Sequence, residues 1–444
     1  MAKEQGPASG FRDMSADQML PRDRMLRTIE GVYKSYGFIP LDTPAVELTA
    51  TLRGKYGEEG DQLVYGVKGR GDRGDSTKLS LRYDLTVPLA RHIAQNPDIS
   101  LPFKRYQIGK VWRGDRPQAG RYREFTQFDA DTVGAKGGLV DAEVIAMMSD
   151  SMNALGADAT ILINNRRLLD ALVEKAGVEG GEGKTKLITA IDNVEKVGVG
   201  AALTRVEDGL GERAAQITRQ YLTVEGTSTE KLVQLGALLR GADGAEEGID
   251  NLQRVFTLLK RGGYGTDQVQ LDNSIARGLS YYTGIIFETR LNDLPQIGSV
   301  CSGGRYDNLI QTLGGPNLPA VGTSIGVDRL MTGLEQLGQV EQVKTPSEVI
   351  VVNFPNGDEG TYMSVAKALR TEGIATEVYP EATGMKKQLT RAAKLGVPYV
   401  VMAGPKEVEE GKATIRDMQT KEQHKVNLED LPDAIKGLRN RFNS

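Results

Sequence analysis

Four arginines lie close together in one short stretch of the chain, VWRGDRPQAGRYREFTQFD at residues 111–129. They are Arg113, Arg116, Arg121 and Arg123, with glycine and proline residues between them. An arginine guanidinium group can bind a phosphate through two parallel hydrogen bonds. The stretch therefore predicts a ligand that carries several negative charges, such as a chain of phosphates.

The end of this stretch reads as a strand with one polar face. Successive side chains of a strand alternate between its faces, so one face would carry Arg123, Phe125, Gln127, Asp129 and Asp131. These residues make a poor core. They make a good site, because an aromatic ring can stack on a flat ligand while an amide and carboxylates bind polar groups. The alternative is a solvated sheet face with surface arginines, and this stretch alone leaves both open.

The amino-acid composition limits the kinds of catalytic and metal site that the chain can form. The chain has two histidines, His92 and His424, and one cysteine, Cys301, which excludes a Cys/His zinc cluster and an internal disulfide. Histidine-based acid–base catalysis is disfavoured for the same reason. The formal net charge is only −4, so any polyanion must be bound by local patches. The chemistry is expected to rest on arginine, carboxylates and an all-oxygen metal such as magnesium.

The length of 444 residues predicts more than one domain. No apolar run approaches a membrane span, and the first residues show no apolar segment typical of a secretory signal. The single cysteine fits a reducing compartment. We therefore expect a cytoplasmic protein with no membrane partner.

Periodicity places the arginine-rich stretch within a β-rich first domain, residues 1–337, which holds an inserted helical module at about 165–262. Residues 338–347 read as a linker, and 348–444 have the α/β rhythm of a separate domain. The predicted elements of the first domain are a helix at 17–36, an extended segment at 38–48, a hairpin at 60–83, strands at 103–113 and 121–131 joined by the loop 114–120, a helix at 141–155, strand patterns at 269–289 and 297–303, and a helix at 324–337.

The segment RGDRPQAGRYREFTQ, residues 113–127, resembles motif 2 of the class II aminoacyl-tRNA synthetases in the form found in histidyl-tRNA synthetases. In that family the loop covers ATP. The resemblance implies that Arg113 holds the α-phosphate, that Phe125 stacks on adenine and that Arg121 reaches the terminal phosphates. It also implies that Arg116 and Gln118 face the acceptor end of the tRNA. Asp115 stands where many members have Glu, and either carboxylate can orient ATP.

The segment LRYDLTVPLAR, residues 81–91, resembles the part of the family that binds the amino acid. The resemblance implies that Asp84 and Thr86 accept hydrogen bonds from the α-ammonium group of histidine, with Leu85 between them. Gln127 joins this histidine site from the strand face. Taken alone, the segment is also consistent with an ordinary strand end followed by a helix start.

The segment ARGLSYYTGIIFE, residues 276–288, resembles the signature that separates histidyl enzymes from other class II synthetases. By this resemblance Arg277 contacts the substrate carboxylate and the α-phosphate, while Tyr281 and Tyr282 line the imidazole pocket. Ser280 replaces the Asp that is common at its position, which affects local hydrogen bonding. Asp131 is our candidate partner for one imidazole nitrogen, and Tyr282, alone or together with Tyr281, for the other.

Three more segments follow in the family order. GGRYDNL at 303–309 brings Tyr306 to the pocket, and GTSIGVDRL at 322–330 resembles motif 3, in which Arg329 would hold the γ-phosphate. The extended segment 38–48 resembles motif 1, which implies a homodimer interface. Each segment alone is also consistent with ordinary structural roles, whereas the ordered set is specific.

The last domain resembles the class IIa anticodon-binding module. The whole resemblance implies an α+β catalytic domain with an antiparallel sheet and flanking helices, a helical insertion and a C-terminal α/β anticodon-binding domain. The implied activity is ATP-dependent attachment of L-histidine to tRNA(His) in protein synthesis, with Mg²⁺ bridging phosphates. The alternatives are a non-catalytic histidine-binding regulatory paralogue of ATP phosphoribosyltransferase, a tRNA-binding or signalling protein without activity, and a tRNA-independent histidine-activating enzyme.

Overall fold

The computed structural model describes residues 6–69, 78–118, 120–265, 267–276, 281–341 and 343–442. The chain divides into two units. One contains the described residues of Met1–Asp13 and Met25–Val340, and the other those of Met14–Arg24 and Glu341–Ser444. The first unit carries the arginine-rich hairpin.

An eight-stranded sheet organises the first unit, as far as its described residues show. The strands lie across the sheet in the order β1 (Ile39–Pro40), β5 (Phe103–Trp112), β6 (Glu124–Val133), β11 (Ala320–Gly326), β10 (Cys301–Arg305), β9 (Ile285–Leu291), β7 (Ala159–Asn165) and β8 (Val269–Leu271). The five pairings from β5 to β7 are antiparallel, and only the outermost pairings, β1 with β5 and β7 with β8, are parallel. The expected antiparallel sheet is thus confirmed.

Helices and a small sheet complete this unit. A three-stranded sheet has the order β2 (Val46–Leu48), β4 (Leu79–Leu81) and β3 (Gly66–Val67). The helices outside the insertion are α1 (Ala16–Ser35), which belongs to this unit from Met25 onwards, and α2 (Thr49–Leu52), α3 (Gly57–Gln62), α4 (Thr86–Gln95), α5 (Gly138–Ala154) and α12 (Val327–Gln336). The region predicted to be a helical module contains α6 (Arg166–Lys175), α7 (Gly180–Asp192), α8 (Val194–Leu210), α9 (Glu212–Leu222), α10 (Ser228–Leu238) and α11 (Ala245–Arg261).

The two faces of β6 differ in chemistry. Phe128 and Ala130 point to the apolar core, where the rings of Phe128 and Tyr33 lie 4.8 Å apart between centroids. Full burial of a phenylalanine side chain contributes about 1.5–3 kcal/mol. The opposite face carries Gln127, Asp129 and Asp131, all buried. The alternation along the sequence therefore separates a hydrophobic layer from a polar layer, and the polar layer is enclosed rather than solvated.

The second unit has its own sheet, with the order β13 (Thr376–Val378), β12 (Val349–Val351), β14 (Tyr399–Met402), β15 (Lys412–Asp417) and β16 (Gln423–Asn427). Strand β12 runs parallel to β13 and β14, and the last two pairings are antiparallel. The accompanying helices are α13 (Glu359–Thr371), α14 (Met385–Leu395), α15 (Pro405–Glu409) and α16 (Leu431–Phe442). Separate apolar clusters pack on the two faces of β12, around Val349 and Val351 on one and Ile350 on the other.

Three boundaries differ from the sequence prediction. The helix predicted at 324–337 begins at Val327, because residues 320–326 pair with β6 and β10 as a strand. The continuous strand pattern at 269–289 is interrupted, with β8 ending at Leu271 and β9 beginning at Ile285. The hairpin predicted from residue 60 starts later, since α3 extends to Gln62. Most of its turn, residues 70–77, lies outside the described residues. Among the helices described, none is long and apolar enough to cross a membrane.

Candidate active site

Asp84 lies at the start of α4, where the sequence predicted an amino-acid site. Its Oδ1 accepts hydrogen bonds from the Val87 backbone N–H, at 3.0 Å, and from the Tyr56 hydroxyl, at 3.1 Å. Its Oδ2 accepts one from the Tyr281 hydroxyl at 3.1 Å. Burial raises the pKa of Asp84, while the Val87 hydrogen bond and the charge of Arg113 oppose that shift. The carboxylate is thus fixed in place, and Arg113 provides a nearby positive charge.

Leu85 and Thr86 follow directly. Leu85 is fully buried, and Thr86 is the first residue of α4. A side chain three residues before a helical N–H is the usual way to cap a helix start. Asp84 lies one residue before the N-cap residue Leu85, and its bond to the Val87 N–H satisfies one free donor of the helix start and holds the carboxylate in a fixed position.

Arg113 follows the last residue of β5 and is held by aromatic rings. Its Nε donates to the Tyr83 carbonyl oxygen at 3.1 Å, and its guanidinium carbon lies 4.3 Å from the Tyr83 ring centroid and 5.2 Å from that of Phe125. Such contacts each contribute about 0.5–1 kcal/mol at exposed sites and more when desolvated. Among the described residues its two terminal nitrogens have no hydrogen-bond partner, which suits a group that binds a phosphate.

The loop after Arg113 is a tight turn with exposed charges. Backbone hydrogen bonds join Gln118 and Arg121 in both directions, at 2.9 and 3.0 Å. The Arg121 Nη2 lies 2.8 Å from the Asp115 Oδ1. Arg116 and Gln118 are exposed. The two loop residues predicted to bind ATP, Arg121 and Asp115, thus form an ion pair with each other. Because the Arg121 side chain is exposed, it can exchange this partner for another anion.

Arg329 lies beside this loop, as its predicted role requires. A Cβ added to Gly120 would lie only 3.7 Å from the Arg329 Cα atom, so the loop packs closely against α12. The Arg329 Nη1 donates to the Ser299 carbonyl oxygen at 2.8 Å. Its neighbour Asp328 accepts from the Thr126 backbone N–H and pairs with Arg12, each at 2.7 Å. Sequence reasoning missed Asp328 and Arg12.

Three tyrosines predicted for the pocket form one cluster. The ring of Tyr281 lies 5.2 Å from that of Tyr282 and 5.8 Å from that of Tyr306, edge to face in both pairs. Glycines make room for this cluster: a Cβ on Gly304 would lie 2.9 Å from a Tyr282 ring carbon. A Cβ on Gly322, directly opposite Gly304, would lie 2.5 Å from the Asp131 carboxyl carbon. The backbone therefore approaches the tyrosine cluster closely at Gly304.

Asp131 is bound within the protein. Its Oδ2 lies 2.7 Å from Nη2 of Arg105, its cross-strand neighbour, and its Oδ1 accepts a hydrogen bond from the Tyr306 hydroxyl. Arg105 is fully buried and also donates to the Leu85 carbonyl oxygen at 3.1 Å. Each oxygen of the predicted imidazole partner thus has a protein partner, and its contact with histidine stays a prediction. Sequence reasoning also missed Arg105.

Two buried acceptors on the same face have neither a hydrogen-bond nor an ion-pair partner among the described residues. They are Oε1 of Gln127 and Oδ1 of Asp129, whereas Oδ2 of Asp131 has no hydrogen bond but pairs with Arg105. The Gln127 Nε2 donates to the Ser324 hydroxyl at 2.7 Å, which fixes that amide. Burial raises the pKa of Asp129 to about 7, the charge of Arg105 opposes the shift, and that of Asp131 adds to it. Buried polar groups are normally paired, so these two acceptors indicate a ligand with N–H donors.

Two predicted features, the second arginine of the site and a bound metal, have no counterpart among the described residues. Arg277 and Ser280 lie outside the described residues, so the second predicted arginine has no geometry here. Within the described ranges, no group of three His, Cys, Asp or Glu side chains is placed to hold a metal ion. The described residues of the site offer arginine, tyrosine, amide and carboxylate side chains, which are groups that can bind organic and phosphate ligands.

An antiparallel sheet that positions arginines from two segments beside a carboxylate and a tyrosine cluster is the arrangement of class II aminoacyl-tRNA synthetases. A family model described as histidyl-tRNA synthetase matches residues 10–330, and one described as anticodon binding domain matches 348–438. The chain belongs to the histidyl-tRNA synthetase family.

Individual relatives are similar to this chain in sequence or structure over almost its whole length. A histidine–tRNA ligase from Cytophaga hutchinsonii is 40% identical, covering 95% of this chain and 97% of that protein. One from Rhodopirellula baltica is 39% identical, covering 96% of each. The crystal structure of a histidyl-tRNA synthetase from Nostoc sp. PCC 7120 superimposes with a TM-score of 0.87 at 32% identity, over 98% of this chain and 99% of that one.

Proposed function

We propose that the chain attaches L-histidine to tRNA(His) in two steps: histidine and ATP give histidyl-adenylate and pyrophosphate, and the histidyl group then passes to the 3′ end of the tRNA. The observation that carries this proposal is the placement of Asp84 and Arg113 beside each other, next to the tyrosine cluster. This pair offers an acceptor for an α-ammonium group and a donor for a phosphate, as the two substrates of the first step require.

The first step needs no base from the protein. The carboxylate of histidine is the nucleophile and is already ionised near neutral pH. Asp84, Thr86 and Gln127 hold its α-ammonium group, with Leu85 forming the floor between them. The barrier is lowered by holding the reacting groups together and by neutralising charge on the phosphates. A chain with only two histidines is thus sufficient for the chemistry.

ATP is bound by the arginines of the three motifs. Arg113 and Arg277 clamp the α-phosphate, and Phe125 stacks on adenine. Arg121 and Arg329 bind the terminal phosphates. Arg121 leaves its ion-pair partner Asp115 to do so. Mg²⁺ would enter with ATP and would help to neutralise the charge on its phosphates.

Specificity for histidine comes from hydrogen bonds in an enclosed site. Tyr281, Tyr282 and Tyr306 surround the imidazole ring, Asp131 binds one of its nitrogens, and Tyr282 binds the other. Burial, followed by the charges of Asp131 and Asp129, raises the pKa of Tyr282, which keeps its hydroxyl protonated. A site built of buried polar groups rejects an apolar side chain strongly, because its own groups would then be unpaired.

The exposed tip of the hairpin loop and the second unit bind tRNA. Arg116 and Gln118 contact the acceptor end, which their exposure permits. We assign residues 1–337 to catalysis with the insertion at about 165–262, residues 338–347 to a linker, and 348–444 to anticodon binding. Retention of the anticodon-binding region, matched at 348–438, disfavours the regulatory paralogue. We place this activity in the cytoplasm.

A homodimer is supported by exposed apolar side chains in and around the motif 1 segment. They are Ile39, Val46, Leu48, Leu101 and Ile108, all at least 38% exposed. Groups of exposed apolar residues mark interaction surfaces. Sedimentation at micromolar concentration should give a dimer, and a monomer would contradict this assignment.

Transfer of labelled histidine to purified tRNA(His), with a non-cognate tRNA as control, tests the proposed function. Charging of tRNA(His) alone is expected. Formation of adenylate without charging of any tRNA would instead support a tRNA-independent histidine-activating enzyme. Histidine binding without either reaction would support the regulatory paralogue.

A further inference from the structure

The chain segment 6–13 lies against the hairpin that carries the candidate ATP contacts. The Gly10 carbonyl oxygen accepts a hydrogen bond from the Arg123 backbone N–H at 2.9 Å, and the Ser9 carbonyl oxygen accepts one from Arg123 Nη1 at 3.2 Å. Gly10 has a φ of +84°, and a Cβ there would lie only 2.7 Å from the Cγ atom of Arg123. Glycine thus lets the backbone of this segment approach the hairpin closely.

Arg12 extends from the same segment and contacts two different elements. Its Nη1 donates to the Tyr122 hydroxyl at 2.9 Å, and its guanidinium carbon lies 3.9 Å from the centroid of the same ring. Its Nη2 donates to Oδ1 of Asp328 at 2.7 Å. Tyr122 lies just before β6, whereas Asp328 lies in the first turn of α12. One guanidinium group therefore joins the hairpin to the helix of motif 3.

Asp328 extends this connection into the strand β6. Its side chain is only 7% exposed, and its second oxygen, Oδ2, accepts a hydrogen bond from the Thr126 backbone N–H at 2.7 Å. A buried carboxylate that is bonded to a cation and to a backbone N–H has a fixed position, because losing either partner is costly. The positions of Arg12, Tyr122 and Thr126 are thus coupled through one carboxylate.

The three residues joined to Arg12 are sequence neighbours of three predicted ATP contacts. The neighbouring pairs are Tyr122 with Arg121, Thr126 with Phe125, and Asp328 with Arg329. In the proposed function these contacts bind the adenine ring and the terminal phosphates of ATP. A misplacement of about 1 Å in a group that positions a substrate can lower the rate about a hundredfold. The contacts of Arg12 are therefore placed where small shifts would affect both ends of the nucleotide.

We propose that Arg12 is a positioning residue for ATP, which holds the hairpin and α12 at the separation that lets their side chains bind one nucleotide together. This inference rests on the proposed function and adds a residue that supports its ATP site. Arg12 acts through Asp328 and Tyr122. Histidine binding does not depend on it, because Asp84 is held by hydrogen bonds from the Val87 N–H and from tyrosine hydroxyls instead.

The first test compares ATP–pyrophosphate exchange by the full-length wild type, Arg12→Ala and Arg12→Lys. We expect Arg12→Ala to raise the KM for ATP about tenfold or more, with the KM for histidine changed less than about twofold. Arg12→Lys keeps the charge beside Asp328 but lacks the planar fork that also reaches Tyr122, so it should recover part of the loss. Lys110→Ala is the matched control, because Lys110 pairs with Glu124 at an exposed position of the same hairpin, and both KM values should stay unchanged.

Two further variants separate positioning from a general loss of structure. Gly10→Ala keeps every charge but inserts a Cβ against the Arg123 side chain, so it should also raise the KM for ATP. Asp328→Asn removes the carboxylate through which Arg12 acts, so adding Arg12→Ala to it should raise the KM for ATP much less than in the wild type. Equal KM changes for histidine and ATP in Arg12→Ala, or additive effects in the double variant, would overturn the proposal.

Direct binding of ATP keeps this inference distinguishable from the proposed function. The Kd for ATP, measured by titration calorimetry with Mg²⁺ present, should rise about tenfold or more in Arg12→Ala. An unchanged Kd for ATP in that variant would overturn the inference, whether or not exchange occurs. An absence of exchange with histidine in the wild type would instead reject the proposed function itself.

Discussion

The arginines of the hairpin loop and the arginine inside the sheet carry the same charge in opposite settings. Arg121 has a side chain that is 46% exposed and pairs with Asp115 across the loop. Arg105 is fully buried and pairs with Asp131 on the neighbouring strand. An exposed ion pair contributes little and can exchange partners, whereas a buried one is fixed because each charge needs the other. The loop arginines thus suit ligands that come and go, and Arg105 suits a permanent structural role.

The largest effect should come from breaking the buried pair. Arg105→Ala leaves Asp129 and Asp131 buried without their cation, so the free energy of unfolding should fall by about 3–5 kcal/mol. Urea unfolding monitored by circular dichroism measures this loss. A change in the free energy of unfolding below about 1 kcal/mol would show that water or another cation already compensates these carboxylates. It would contradict the structural role assigned to Arg105.

An effect of intermediate size on the free energy of unfolding is expected from a change of pH. The pKa of Asp129 is raised to about 7, so the folded protein holds a proton that the unfolded chain releases near pH 4. Its contribution to the free energy of unfolding should therefore fall as the pH rises from about 4 to 7, by on the order of 1 kcal/mol per pH unit. Asp129→Asn should lack this slope. Unfolding curves of the wild type and of Asp129→Asn at pH 5, 6, 7 and 8 give the difference between their pH slopes. Parallel pH profiles of the two proteins would contradict the prediction.

The smallest effect on stability should come from the exposed pair. Arg121→Ala removes an ion pair with one half-exposed partner, which contributes at most about 1 kcal/mol. The free energy of unfolding should therefore change by less than that, while the KM for ATP rises because a terminal phosphate loses its partner. A large loss of stability with an unchanged KM for ATP would assign Arg121 a structural role instead.

The same contrast explains what the sequence could predict. The half-buried candidate residues Arg113 and Phe125 lie in a stretch whose residue types and spacing are unusual, so the hairpin was predictable. The strand alternation also separated Phe128 from Asp129. Arg105 was missed because FKRYQIGK reads as a basic strand with solvent on one side. Counting back along the hairpin from Trp112 opposite Glu124 places Arg105 opposite Asp131, so the register held a usable signal.

Other features depend on contacts between distant parts of the chain. Asp328 accepts from the Thr126 backbone and pairs with Arg12, which is 316 positions away in the sequence. No local pattern indicates which distant segment will meet such a carboxylate. The start of α12 was misplaced for a similar reason, since residues 320–326 become a strand only through pairing with β6 and β10.

The most direct test of the central claim is amino-acid-dependent ATP–pyrophosphate exchange, with each of the twenty amino acids offered separately in the presence of Mg²⁺. The account predicts exchange with histidine alone, because the site joins a phosphate-binding arginine to a polar, tyrosine-lined pocket. Exchange with a different amino acid, or no exchange with any from folded protein, would contradict it.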